Sequence, residues 1–301
     1  MANTKEIQKR MKSISDTMKI TNAMYMISST KLQHAKSMLA DTEPYFYSLQ
    51  QEFGRILRHV PETDNIYFRQ IPEDVSPDEK KIGYVVVSAD KGLAGAYNHN
   101  VFKMAHELFE QGGENRLFVL GELGRQYFAR EGLKVDVQFH YTVQNPSLHR
   151  ARMITEEIME QYRQGKVDEV YIIYTKMENS MTVTTEKLKL LPLSKEKFAT
   201  ALPADVYQEE LKAEPSWEEV LNHLVPNYVN GFIYGALVES YASEQNSRMM
   251  AMQSATDSAK EILQKLAIEY NRVRQAAITQ EITEVISGAK AQKRKKRGVR
   301  A

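Results

Sequence analysis

The sequence predicts an α/β fold joined to a coiled coil: long antiparallel N- and C-terminal helices forming a rod, with a central, mainly parallel α/β domain between them. Three observations carry this expectation. From Asn227 to Ser287, sixty-one consecutive residues contain no proline and only two glycines, Gly231 and Gly235. Near the other end, Ile7, Met11, Ile14, Met18, Thr21, Tyr25, Ser28, Leu32, Ala35 and Leu39 follow a strict four-three alternation, the a/d seam of nearly five heptads. From Lys81 onward, short apolar runs alternate with helical patterns, as βαβ crossovers require.

Residues 1–60 are expected to form the N-terminal coiled-coil helix, capped near Asn3 or Thr4, pausing or kinking at Pro44 and continuing through Tyr45 to Arg58. A second apolar edge at Ile20, Ala23, Met24 and Ile27 widens its stripe. Residues 61–80, with Pro61, Pro72, Pro77 and several acids, read as a linker. The central α/β domain, residues 81–193, should contain strands at Ile82–Val87, Leu117–Leu120, Val135–Phe139, Glu169–Tyr174 and Lys187–Leu193. Its helices are placed around Val101–Gln111, Arg125–Arg130 and Ser147–Gln164. Residues 194–226 return the chain and offer a short helix at Ser216–Leu224. Residues 227–287 form the C-terminal coiled-coil helix, with a stripe at Ala255, Ala259, Ile262, Leu266, Tyr270, Val273 and Ala277 and a length of roughly 90 Å. The acid-first pairs Glu244–Arg248 and Glu261–Lys265 belong on its polar faces, and Gly288 is read as its stop. Residues 288–301 make a basic tail, whose extension Gln292–Ala301 is expected to be disordered.

Each terminal helix alone is marginal, but burying their seams against one another contributes about 1.5–3 kcal/mol per Leu, Ile or Met. Leu32 and Leu266 are accordingly expected inside. Net charge is +1 over 301 residues, yet the last fourteen carry seven Lys or Arg and no acid, which leaves −6 for the remainder. A second basic zone at residues 3–39 would meet this tail in an antiparallel pairing. No apolar run approaches the eighteen residues needed to span a bilayer, and the N-terminus shows no signal-peptide pattern. The absence of cysteine excludes disulfides and thiolate sites and fits a reducing compartment.

Little in the chain points to catalysis. Ser88-Ala89-Asp90-Lys91-Gly92-Leu93-Ala94-Gly95-Ala96-Tyr97-Asn98 is a glycine-bearing turn between a strand and a helix, a common place for phosphate. It lacks both the G-x-G-x-x-G spacing and the G-K-[ST] ending. The seven histidines show no ligand spacing, and no G-x-S-x-G turn occurs. Hence no cofactor, metal or catalytic residue is assigned. The run Lys293-Arg294-Lys295-Lys296-Arg297 lacks the interleaved aromatics of a single-strand binder, so no nucleic-acid partner is assigned either. On the residues alone, a coiled-coil tether and an α/β nucleotide-binding enzyme with a helical arm both stand.

Met18-Lys19-Ile20-Thr21-Asn22-Ala23-Met24-Tyr25-Met26-Ile27-Ser28-Ser29-Thr30-Lys31-Leu32 closely resembles the N-terminal signature of the gamma subunit of F-type ATP synthase. Ala242-Ser243-Glu244, Arg248-Met249, Ala255-Thr256-Asp257 and the run Tyr270-Asn271-Arg272-Val273-Arg274-Gln275-Ala276-Ala277-Ile278-Thr279-Gln280-Glu281-Ile282-Thr283-Glu284 resemble that family's C-terminal signature. Ser88–Asn98 resembles its central glycine loop. The resemblance implies a non-catalytic rotor of a proton-translocating ATP synthase, turning inside a ring of alpha and beta subunits to couple ion flow to ATP synthesis or hydrolysis. Epsilon and a membrane c-type ring are the further partners it implies. The same resemblance nominates Arg274, Gln275, Thr279 and Glu281 as polar contacts to beta, with Met24 as the opposing position on the first helix. Asn22 stands where the family usually has lysine, and the tail after Ala291 extends past the usual end. Without the cysteine-bearing chloroplast insertion or a transit peptide, the expected location is the cytoplasmic face of the bacterial plasma membrane, as a peripheral subunit without a membrane span.

Overall fold

The computed structural model describes residues 4–60, 65–69, 80–110, 113–136, 139–179, 182–194 and 212–298, with side chains undescribed at 58 and 292–298. In order, the elements are α1 (Thr4–His59), β1 (Lys81–Val87), α2 (Tyr97–Phe109), β2 (Glu114–Leu120), α3 (Glu122–Arg130), α4 (Leu148–Arg163), β3 (Glu169–Met177), β4 (Val183–Leu191) and α5 (Trp217–Gly298). The chain divides into two compact units, one of residues 1–26 with 251–301 and one of residues 27–250.

In the larger unit the strand order is β2-β1-β3-β4, parallel across the first three and antiparallel at the β4 edge. The apolar run of β1 is continuous because both faces of the sheet are covered. Val85 and Val87 point into a core built with Phe118, Leu120 and Ile172 and filled by Phe53 and Leu57 of α1, Ile154 and Ile158 of α4, and Val225, Val229 and Ile233 of α5. The alternate residues Tyr84 and Val86 face Val101 and Ala105 of α2 and Phe128 of α3. Register is strongly specified, since a one-residue slip would exchange these two sets.

Several boundaries differ from the expected ones. Helix α1 runs unbroken through Pro44. Proline removes one donor from the helical ladder, but Phe46, Phe53 and Leu57 beyond it pack on the core and hold the helix together. Helix α5 begins at Trp217 rather than Asn227 and passes through Pro226 for the same reason, with Leu221 and Val225 buried ahead of the proline. Its start is set by Ser216, whose hydroxyl accepts from the Glu219 amide at 3.2 Å, with Glu218 and Glu219 favourably placed in the first turn. Gly288 is no stop, and the basic tail is helical as far as Gly298. One interior glycine costs only about 1 kcal/mol against alanine, and the Ala, Lys and Gln that follow are strong helix formers. In place of the strand expected at Val135–Phe139, the described residues show a single parallel bridge from Leu117 to Val135; residues 137 and 138 lie outside the description.

In the smaller unit the two helices are antiparallel. Gln8 Nε2 donates to the Tyr270 hydroxyl at 2.9 Å, and the hydroxyls of Thr21 and Thr256 lie 2.8 Å apart. Going up one helix therefore means going down the other. Ile7, Ala259 and Leu266 are buried in this unit, and Leu32, Ala35, Tyr241 and Ala242 form the matching cluster in the larger one. Leu32 and Leu266 are each 6% exposed, as expected, whereas Ile262 on the anticipated stripe is 40% exposed. Leu32→Ala and Leu266→Ala should each lose about 2–5 kcal/mol in urea unfolding, through lost burial and the cavity left behind. Ile268→Ala, at a position 72% exposed, should stay within about 0.5 kcal/mol of the parent.

Candidate partner-contact surface

Two places could carry function: the crevice at the carboxyl end of the sheet and the uncovered end of α5. The crevice lies where connections from β1 diverge, β2 on one side and β3 on the other, which is where open α/β sheets bind ligands. Here it is filled by the chain itself. Ser88 Oγ donates to the Leu120 carbonyl at 2.8 Å and accepts from the Gly124 amide at 3.1 Å. Asp90 accepts from the Glu122 amide at 3.0 Å, so a carboxylate of the turn caps the start of α3. Its other oxygen takes the Val143 amide at 3.1 Å and the Thr142 hydroxyl. From the far side, Arg248 of α5 donates to the carbonyls of Lys91 at 2.9 Å and Gly92 at 3.1 Å.

Arg248 also meets Glu244 at 2.6 Å, and the Glu244 side chain is 1% exposed. The sequence placed this pair on a polar helix face; the structure buries it, because β3 and the glycine turn pack on that side of α5. Burial pushes the Glu244 carboxyl above the ordinary carboxylate range against the opposing pull of Arg248. With the carboxyl groups of Asp90 and Glu244 beside it, the turn is a poor phosphate cradle. Calorimetric titration of the purified chain with ATP, ADP or NAD should show no binding in the micromolar range; a micromolar Kd for any of them would restore the nucleotide-site reading.

At the other place, the register carries α5 past the described start of α1. Tyr270 is level with Gln8, and every residue from 274 to 291 is exposed. Arg274, Gln275, Thr279 and Glu281 all lie on this lone segment. At roughly 100° per residue, Arg274 and Glu281 share one face and Gln275 and Thr279 another. The stripe between them holds Ile278, Ile282, Val285 and Ile286, which are 47, 53, 72 and 50% exposed. The polar candidates are thus two rims of an apolar strip, whose spacing was visible in the sequence although its exposure was not. Thr279 bonds back to the Gln275 carbonyl at 2.9 Å, leaving its methyl group available on the outer face. Met24 is half-buried and three residues on from Thr21, close to the level of Gln253. That is about twenty residues, or roughly 30 Å, along α5 from Arg274, so the register does not bring Met24 opposite the other four.

The arrangement defines a class: an α/β protein with a long pair of terminal helices, its sheet crevice closed by its own side chains and an exposed apolar strip on a helix end. Comparison with known proteins makes this specific. The family model described as ATP synthase matches residues 3–292. The ATP synthase gamma chain of Ruminiclostridium cellulolyticum is 45% identical over 292 residues, covering 96% of this chain and 98% of its own. The gamma chain of Acetobacterium woodii named sodium ion specific is 37% identical, covering 96% of this chain and 98% of its own. Among solved structures, a chain of the Euglena gracilis mitochondrial ATP synthase in rotational state 3 superposes with a TM-score of 0.69 at 15% identity, covering 96% of this chain and 94% of that one, and supports the fold. The chain belongs to the ATP synthase gamma chain family.

Proposed function

We propose that this chain is the central rotor of its ATP synthase and has no catalytic site of its own. The observation that carries this reading is the uncovered end of α5, residues 274–291, where an apolar strip with polar rims sits on the family's most specific motif. A strip of this kind on a lone helix calls for a partner. The partner in this reading is the ring of alpha and beta subunits, with Arg274, Gln275, Thr279 and Glu281 meeting beta and Met24 making a separate contact lower on the helical pair. Because one helix end presents different residues in different directions, it biases each surrounding catalytic site toward a different conformation. Turning it permutes those biases, which is how rotation and ATP chemistry become coupled.

At its other end the chain would meet epsilon and a membrane c-type ring, as a peripheral subunit on the cytoplasmic face of the bacterial plasma membrane. No helix among the described residues is long and apolar enough to cross a membrane. Ion passage and the choice of ion, a proton in this reading, therefore fall to other subunits. Untagged alpha and beta subunits should copurify with the tagged chain. Since the chain has no cysteine, a single Thr279→Cys variant should also form, on oxidation, a disulfide with a cysteine introduced into one beta subunit per complex, and reduction, ATP turnover and reoxidation should then distribute that disulfide over all the beta subunits. A chain that purifies alone, or a disulfide that re-forms after turnover only with its first beta subunit, is the contrary outcome.

A further inference from the structure

We propose that Arg248 is a torsional latch, a positioning residue that fixes the sheet domain to α5 so that torque passes between them without slip. The inference rests on the rotor reading, but its geometry lies elsewhere in the chain. The Arg248 guanidinium makes four hydrogen bonds: Nη2 to Glu244 Oε1 at 2.6 Å, to the Lys91 carbonyl at 2.9 Å and to the Gly92 carbonyl at 3.1 Å, and Nε to the Gly92 carbonyl at 3.2 Å. Two acceptors are backbone atoms, so the path of the turn is held directly. That turn leaves β1, the strand paired to both β2 and β3. Through Asp90 it is also bonded to the start of α3 and to residues 142 and 143. A single side chain of α5 thereby grips the junction on which the sheet, α3 and the following loop converge.

The residue types chosen here are informative. A buried ion pair is a poor source of stability, and apolar groups of similar volume often do as well or better. What a planar guanidinium adds is direction: apolar contacts tolerate sideways sliding, whereas hydrogen bonds weaken steeply when their angles are spoiled. Resistance to sliding is what a joint under torque requires. One to two turns earlier on α5, Ser243 donates to the Thr175 carbonyl at 3.1 Å and Ser240 accepts from the Thr175 amide at 3.2 Å. These bonds tie α5 to β3 independently, so loss of Arg248 should loosen the joint without releasing the domain. The same helix continues without interruption to the contact surface at 274–281.

The test compares Arg248→Ala and Arg248→Lys with the parent in the complete membrane-bound complex. Arg248→Ala should leave ATP hydrolysis by the complex released from the membrane within about twofold of the parent, while ions pumped per ATP in the membrane-bound complex fall about two- to tenfold. Arg248→Lys, a point donor unable to fork, should recover part of the loss. Hydrogen exchange of the chain by itself should show the amides of residues 91–96 opening about tenfold faster in Arg248→Ala, with those of β1 and β3 still protected. Unchanged pumping per ATP overturns the latch, as does a loss of sheet protection or a proportionate fall in hydrolysis, which would mark Arg248 as merely structural. Failure of the parent chain to assemble with alpha and beta would count against the rotor reading instead, and the exchange measurement would still report on the Arg248 contact.

Discussion

Gly121→Ala is expected to destabilise the sheet domain by about 2–6 kcal/mol, the sum of backbone strain and overpacking. Gly121 precedes α3 with φ 93° and ψ 138°, a conformation closed to side chains. A Cβ there would also run into the Ser88 carbonyl oxygen and come within 2.7 Å of Ser88 Oγ. Ser88 has no room to retreat, because its amide and hydroxyl both bond the Leu120 carbonyl, at 2.9 and 2.8 Å. Gly235→Ala should do the opposite, adding about 0.5–1 kcal/mol, since it is helical and a Cβ there meets nothing within 4 Å. Urea unfolding followed by circular dichroism reads both. A stable Gly121→Ala chain would mean that the crevice is not packed as described.

Arg274→Ala combined with Gln275→Ala should lower ATP turnover of the assembled complex by about tenfold or more while leaving the complex intact. A lost neutral hydrogen bond costs about 0.5–1.5 kcal/mol and one to a charged group about 1.5–3, and 1.4 kcal/mol is a factor of ten. Assembly should survive, because both residues are fully outside the seam and the apolar strip of Ile278, Ile282, Val285 and Ile286 is untouched. Turnover is measured on complexes of verified subunit composition, as hydrolysis and as synthesis. Unchanged rates in both directions would remove Arg274 and Gln275 from the contact surface, and loss of assembly would recast them as docking residues.

The helical pair was legible in the sequence because its determinants are local and periodic. Ten seam positions from Ile7 to Leu39 are all buried or half-buried, and the four-three alternation alone names them. The double-sided burial of β1 follows equally from a continuous apolar run at Tyr84–Val87, and the antiparallel β4 edge was the part left open. Helix ends were harder, because a proline or glycine states a cost of one to a few kcal/mol and leaves unsaid what packing offsets it. Phe46 and Phe53 override Pro44, and Leu221 and Val225 override Pro226.

Of the proposed contact surface, the sequence by itself named the candidates: the run from Tyr270 to Glu284 carries the family resemblance, and the spacing of Ile278, Ile282 and Val285 already draws an apolar strip. Only the tertiary structure decided what that strip faces. It is exposed because pairing Gln8 with Tyr270 leaves only Thr4–Ile7 of the described α1 beyond that level, enough to reach about residue 274 of α5, a consequence of register between residues more than two hundred and fifty positions apart. The same holds for Glu244 and Arg248. Their spacing reads as an ordinary surface ion pair, since i,i+4 charges look alike on any helix face. Burial is a property of what packs against the face, and here that is a glycine turn over one hundred and fifty residues away in the chain.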